Sequence, residues 1–420
     1  MPGAEVDGNE IMLLGLGLQA PWKLVGQELK VDVQPHELHL QVEADRGSKF
    51  PCPECGELAP AHDFTEQTWR HLNFFQHHCY IHARVPRVRC PEHGVKQVKV
   101  PWARKGSAFT LLFEQAAMTL VREMPVLAAA RIMAITDKRL WRVVEHYVRK
   151  AIARFDLSAV TAVGLDETAA KRGQNYVTVF IDMERRNKPV LFVTPGHGKE
   201  TVKAFRQFMV QHMGKPEHVL EVVCDMSGAF LSAVQQEFSR AEITVDWFHI
   251  VQTFTTAVDE VRKLEGRQTL MPKHLRWALL KRAEAERLTT NQLRAVAELT
   301  ERGLETARAW RVKESLRWIR EATTPRAARW RITRFIGFGL ELLGDSEILA
   351  PMRSALETLR RHAERVVRRW TSTYTNARLE GLNSLFQAAR ARARGYRNTN
   401  TFMTMIYLIA SPAGSILKSI

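Results

Sequence analysis

At 420 residues, with a formal net charge of +16 and a pI of about 9.9, the chain is long enough for several cores and carries the cation excess suited to a long polyanion. No apolar stretch approaches membrane-spanning length and the opening MPGAEVDGNE is acidic; this excludes a membrane-spanning protein and argues against a secretory leader, so a soluble, cytoplasmic, nucleoid-associated protein is expected. Five cysteines, three of them in one short segment, point to metal rather than disulfides in a reducing compartment.

Residues 20–48 alternate in places (Val31, Val33; Leu38, Leu40, Val42), which predicts short strands. Two turns of similar composition follow, CPECG at 52–56 and CPEHG at 90–94. Each sets two soft ligands on one tight turn, Cys52 with Cys55 and Cys90 with His93, and glycine lets the backbone curl so that amides approach the thiolates. Together they predict one structural zinc ion, with His78 and Cys79 as rivals for the place of His93. Strand character in 69–75 and 79–88 makes the segment a zinc ribbon.

Residues 109–151 read as three helices, 109–122, one starting at Pro125, and 138–151. Helix, short turn, then a helix opening with Lys138, Arg139 and Arg142 is the pattern of a helix-turn-helix whose last helix enters a DNA groove. An ordinary three-helix core has much the same pattern.

From residue 162 the texture changes. VGLDET is a short strand ending in Asp166 and Glu167; 176–182 and 189–194 are further strands; 219–224 is a buried strand ending at Asp225; and 243–245 leads into Asp246 and His249. Three antiparallel strands followed by alternating helices and parallel strands is the order of a ribonuclease-H-like sheet, with carboxylates at strand ends where α/β folds carry chemistry. Residues 250–370 have almost no strand signal and read as all-helical, their tryptophans (Trp277, Trp310, Trp318, Trp330, Trp370) expected mostly in the core. Last, 375–407 reads as an amphipathic helix with Glu380 at its head and Asn383, Gln387, Arg390 and Arg394 recurring at helical spacing. A carboxylate there can hold a hard cation beside a phosphodiester that the arginines neutralise; a solvated basic face is the bland alternative.

The predicted fold is therefore multidomain α+β: a β-rich lead (1–48), a zinc-binding domain (49–105), a helix-turn-helix domain (106–155), the first part of a ribonuclease-H-like α/β catalytic domain (156–250), an all-helical insertion (251–370) and the second part of the catalytic domain with Glu380 (371–420).

The order VGLDET, VVCDMSGAF, VDWFHI and the stretch from EGLN to GYRN (380–398) resembles bacterial insertion-sequence transposases of the DDE class, most closely the ISL-three family. The resemblance implies that Asp166, Asp225 and Glu380 are catalytic and hold two magnesium or manganese ions about 4 Å apart, in an in-line displacement at phosphorus. It further implies that Asp246 and His249 stand behind the acids, that Asn383, Gln387, Arg390, Arg394 and Arg397, with Lys171 and Arg172, grip DNA, and that the partners are terminal inverted repeats and target DNA, held by a homodimer or larger assembly. An inactive zinc and helix-turn-helix repressor, or a nuclease of the same fold that does not join strands, are the competing readings.

Overall fold

The computed structural model describes residues 15–171, 175–271, 273, 275–281, 288–374 and 376–413, so Arg172 lies outside the described residues. The chain divides into two units, the boundary falling between Tyr147 and Val148.

In the first unit, alternation in the sequence becomes a sheet with one dry face. Strands β1 (Trp22–Lys30), β2 (Glu37–Ala44), β3 (Lys49–Pro51), β4 (Leu58–Phe74), β5 (His77–Cys90) and β6 (Gly94–Gln97) assemble in the order β1-β2-β5-β4-β3, with β6 beside β5. β2 and β5 run parallel; the other pairs are antiparallel. The inward positions Leu40, Val42, Ile81, Val85 and Val88 are buried, and Trp102 closes the face edge-on to Trp22 and Trp69. Both hairpin strands of the ribbon are longer than the sequence suggests, because pairing is carried past the hydrophobic stretch by polar pairs such as Arg87 with Asp63.

Three helices follow, the boundary between the units falling within the third: α1 (Leu111–Glu123), α2 (Val126–Ile132) and α3 (Asp137–Ile152). Thr110 caps α1 through the amide of Phe113. Glu114, fully buried on α1, accepts from Arg104 Nε (2.9 Å), Ser107 Oγ (2.7 Å) and Tyr147 O–H (2.7 Å), which satisfies a charge that would otherwise be costly to bury.

In the second unit, β7 (Ala162–Ala169), β8 (Tyr176–Asp182), β9 (Val190–Pro195), β10 (Glu221–Cys224) and β11 (Glu242–Val245) form a sheet ordered β11-β10-β7-β8-β9. β7, β8 and β9 are antiparallel neighbours; β10 and β11 run parallel to β7. Helices α4 (Lys199–Gln211) and α5 (Gly228–Glu237) cover one face, where Phe180 stacks on Phe205 at 4.4 Å. From Trp247 to Trp370 the described residues hold helices and no strand: α6 (Trp247–Glu265), α7 (Leu275–Leu280), α8 (Thr290–Glu301), α9 (Glu305–Arg320), α10 (Pro325–Leu343) and α11 (Ala350–Val367).

One expectation fails in this helical region. Trp277 is 61% exposed, Trp330 54% and Trp318 37%, so three of the five tryptophans are not core. Trp318 and Trp330 meet edge-on at 5.5 Å and carry the guanidinium groups of Arg331 and Arg334 on their faces, a surface cluster that helical spacing alone does not distinguish from a buried stripe.

The chain then returns to the sheet with α12 (Ala377–Arg392) and α13 (Thr399–Ala410). The amide of Val193 on β9 donates to the Tyr407 hydroxyl at 2.8 Å, and Leu379 lies where a side chain at Gly164 would stand. A Cβ at Gly164 would come within 2.6 Å of Met183 and 3.0 Å of Leu379, so glycine there lets α12 lie close along β7.

Candidate functional site

The parallel register sets three acids abreast. Val223 pairs with Gly164 and Cys224 with Val245, the last pairs of each ladder; continued two residues past the first and one past the second, the register leads to Asp225 beside Asp166 and Asp246, and the charges of Asp225 and Asp246 both act on Asp166. Adjacent strands are about 4.8 Å apart, so the carboxylates feel one another. Asp166 has its pKa pushed up to about 6, first by burial and further by the charges of Asp225 and Asp246, against the opposing pull of the Glu167 amide and of His249. Glu167, across the pleat, is also pushed up by burial and by Asp225.

These acids are held by local hydrogen bonds. Asp166 Oδ1 accepts from the amide of Glu167 (2.8 Å) and Asp225 Oδ1 from the amide of Ser227 (2.9 Å). Asp246 precedes α6 and accepts from the side-chain amide of buried Asn376 at 3.4 Å. Cys224 is wholly buried and its thiol is pushed well up by burial, as befits a strand residue without chemistry.

Helix α12 brings the last acid. Glu380 is exposed in the helix's first turn, where a carboxylate complements the positive end of the helix dipole. One turn on, Asn383 Nδ2 donates to Asp166 Oδ2 at 2.8 Å; the next turn brings Gln387 Nε2 to Thr168 Oγ1 (2.8 Å) and the Ala169 carbonyl (3.0 Å), and Arg390 also donates to that carbonyl. The helix is thus fastened along β7 rung by rung. Read from sequence, Asn383, Gln387 and Arg390 face DNA; in the structure each has a donor engaged with the strand that carries Asp166. Arg394 and Arg397 are exposed in the turn after the helix, where Arg394 (φ 56°) and Gly395 (φ 93°) take left-handed conformations. Lys171 is also exposed.

Asp166, Asp225 and Glu380 do not gather within 4.8 Å of one another. Among the described residues the group of three or more potential ligands that does so is Cys52, Cys55, Cys90 and His93 in the first unit. Cys55 and Cys90 sulfurs are 3.6 Å apart, His93 Nδ1 lies 3.5 Å from Cys90 Sγ and 4.0 Å from Cys52 Sγ. Tetrahedral zinc with Zn–S bonds of about 2.3 Å needs ligand atoms at about that separation. Gly56 (φ 78°) and Gly94 (φ 68°) supply the left-handed residue each turn requires, and amides of Cys55 and Glu54 lower the Cys52 thiol to about 7. Cys79, the rival ligand, lies in the hydrophobic core with its thiol raised to about 11 by burial.

On α3, Lys138, Arg139 and Arg142 are all exposed; the Arg139 guanidinium lies 4.5 Å over the Phe109 ring. A turn containing Ala134 at φ 51° separates α2 from α3.

Comparison with known proteins bears on each part. Residues 163–406 match the DDE domain profile of family ISL3, described as a transposase. Residues 98–148 match the helix-turn-helix domain of transposase family ISL3, and 48–93 the zinc-finger of transposase IS204/IS1001/IS1096/IS1165. The transposase for insertion sequence element IS1001 of Bordetella parapertussis is 23% identical over 365 residues, 84% of this chain and 87% of the relative. The transposase for insertion sequence element IS1557 of Mycobacterium tuberculosis is 28% identical over 215 residues, 50% of this chain and 48% of the relative.

Proposed function

Because this chain belongs to the ISL3 family of insertion-sequence transposases, we propose that it cuts DNA at the terminal inverted repeats of its element and joins the freed strand to a target, with Asp166, Asp225 and Glu380 as the catalytic carboxylates. The observation that supports the assignment is that β10 runs parallel beside β7 and ends next to Asp225, whose charge acts on Asp166, together with the helix that carries Glu380 being bonded to Asp166 itself through Asn383.

The donor set fits magnesium or manganese. All three groups are carboxylates, and Asp166 is partly buried among like charges that a cation would relieve. Two bound ions would supply Lewis-acid stabilisation of the attacking and departing oxygens at phosphorus. The chain's own part is positional: the Glu167 amide and Asn383 fix both oxygens of Asp166, the Ser227 amide fixes Asp225, and His249 adds a partly buried imidazole beside Asp166. Asp246 acts from behind, tied to the start of α12 through Asn376.

The strand order and the run of helices between β11 and α12 support a ribonuclease-H-like core interrupted by an all-helical insertion. Cys52, Cys55, Cys90 and His93 would hold one structural zinc ion, and Lys138, Arg139 and Arg142 on α3 would contact the inverted repeats, with Arg394 and Arg397 gripping phosphates near the carboxylates. Joining two ends requires a homodimer or larger assembly on DNA.

The test is incubation of the full chain with a labelled duplex carrying the element's end and a target plasmid. Metal-dependent nicking at the end, followed by joined product, is expected. Specific binding with the DNA left intact in both magnesium and manganese would favour the repressor reading; nicking without joining would favour the nuclease.

A further inference from the structure

We propose that the groove between α6 and α11, opening beside Asp225 and His249, is a nucleobase site that takes one unpaired base of the strand being cut. The proposal rests on the transposase reading and adds to it a second binding site in the same unit.

The groove exists because of what lines it. Elsewhere α6 is packed by large side chains, such as Phe254 against Phe335 at 5.7 Å. Along the groove, α6 presents Gln252, Thr253, Thr256 and Glu260, and α11 presents Ser354 and Thr358, short or polar groups that do not fill the space between two helices. The result is a cavity of about 450 Å³, within the range of sites for small organic ligands and large enough for a nucleoside.

Its chemistry selects the base rather than the phosphate. No lysine or arginine is among the described residues that line it, in a chain of net charge +16, and the carboxylate of Glu260 would repel a phosphate. The Thr253 and Thr358 hydroxyls donate to the His249 and Ser354 carbonyls of their own helices and so offer acceptors, whereas Gln252, Thr256 and Ser354 can donate and accept, as the Watson–Crick edge of a base requires, and Glu260 accepts from ring or exocyclic N–H groups. Met226, Pro351 and Ala355 supply apolar wall for the faces of the ring. Because Asp225 is among the lining residues, a base lodged there belongs to a nucleotide next to the phosphate held at the carboxylates.

The experiment uses the wild-type full chain with calcium in place of magnesium and end duplexes bearing 2-aminopurine singly at each position around the cleavage point. A several-fold fluorescence rise at one position is expected, abolished in Thr256→Phe and in Ser354→Phe. Each filled variant should cut the ordinary duplex at least tenfold more slowly than wild type and regain most of that loss on a duplex abasic at the responsive position. The proposal is overturned if no position brightens in a wild-type complex that cuts once magnesium is added, which leaves the transposase reading intact, or if a filled variant brightens and cuts as wild type does. Wild type that neither binds nor cuts the end removes the transposase reading, and this proposal with it.

Discussion

Asp166 illustrates how function is held against stability at a single residue. Its folded-state pKa, about 6, lies above the ordinary 3.8, so the fold favours the protonated form. The associated stability is complete below pH 4 and is lost as pH rises through 6. In chelator, the stability difference between Asp166→Asn and wild type should therefore grow by on the order of 2 kcal/mol from pH 4 to pH 8, measured by urea titration at each pH. A flat difference would mean that the carboxylate is not desolvated. Asn383 makes a second residue-scale claim. If its amide positions Asp166, Asn383→Ala should lower the saturating cleavage rate about tenfold and shift the acid limb of the pH profile upward, with end affinity unchanged. If the sequence reading of Asn383 as a DNA grip is right, affinity falls and the saturating rate stays.

Elements show what the sequence could and could not reveal. The two CPxxG turns are legible because the chemistry of a zinc knuckle is local: ligand spacing and the glycine after it are written in five consecutive residues. The sequence favours His93, but excluding its rival Cys79 needed the fold, since only the strand pairing sends Cys79 into the core. The fastening of α12 to β7 was illegible for the same reason: periodicity puts Glu380, Asn383 and Gln387 near one face but does not say whether that face meets solvent, DNA or a strand. The surface tryptophans of α9 and α10 were misread because a 3.6-residue repeat of aromatics is common to cores and to exposed clusters. At this scale, metal removal is the test of the ribbon. Dialysis against a strong chelator, or Cys90→Ser, should melt the β-rich unit at a lower temperature and release one equivalent of zinc, detected with a colorimetric dye. Unchanged melting with no zinc released would leave the four ligands as mere neighbours.

For the whole molecule, charge and catalysis separate cleanly. The excess of cations acts through phosphate contacts, so the logarithm of affinity for end DNA should fall linearly with the logarithm of salt, and Lys138→Ala with Arg142→Ala should reduce that slope by about 2 while leaving cleavage at saturation intact. An unchanged slope would take α3 out of the interface. The acids should behave in the opposite way. The most direct measurement is cleavage of a labelled end duplex in magnesium by wild type, Asp166→Asn, Asp225→Asn and Glu380→Gln, alongside Glu167→Gln, with binding measured on the same samples. The three triad variants should bind as wild type does and cut at least a thousandfold more slowly, while Glu167→Gln keeps most of its activity. A Glu380→Gln or Asp225→Asn protein that still cuts would show that the metal-holding carboxylates lie elsewhere.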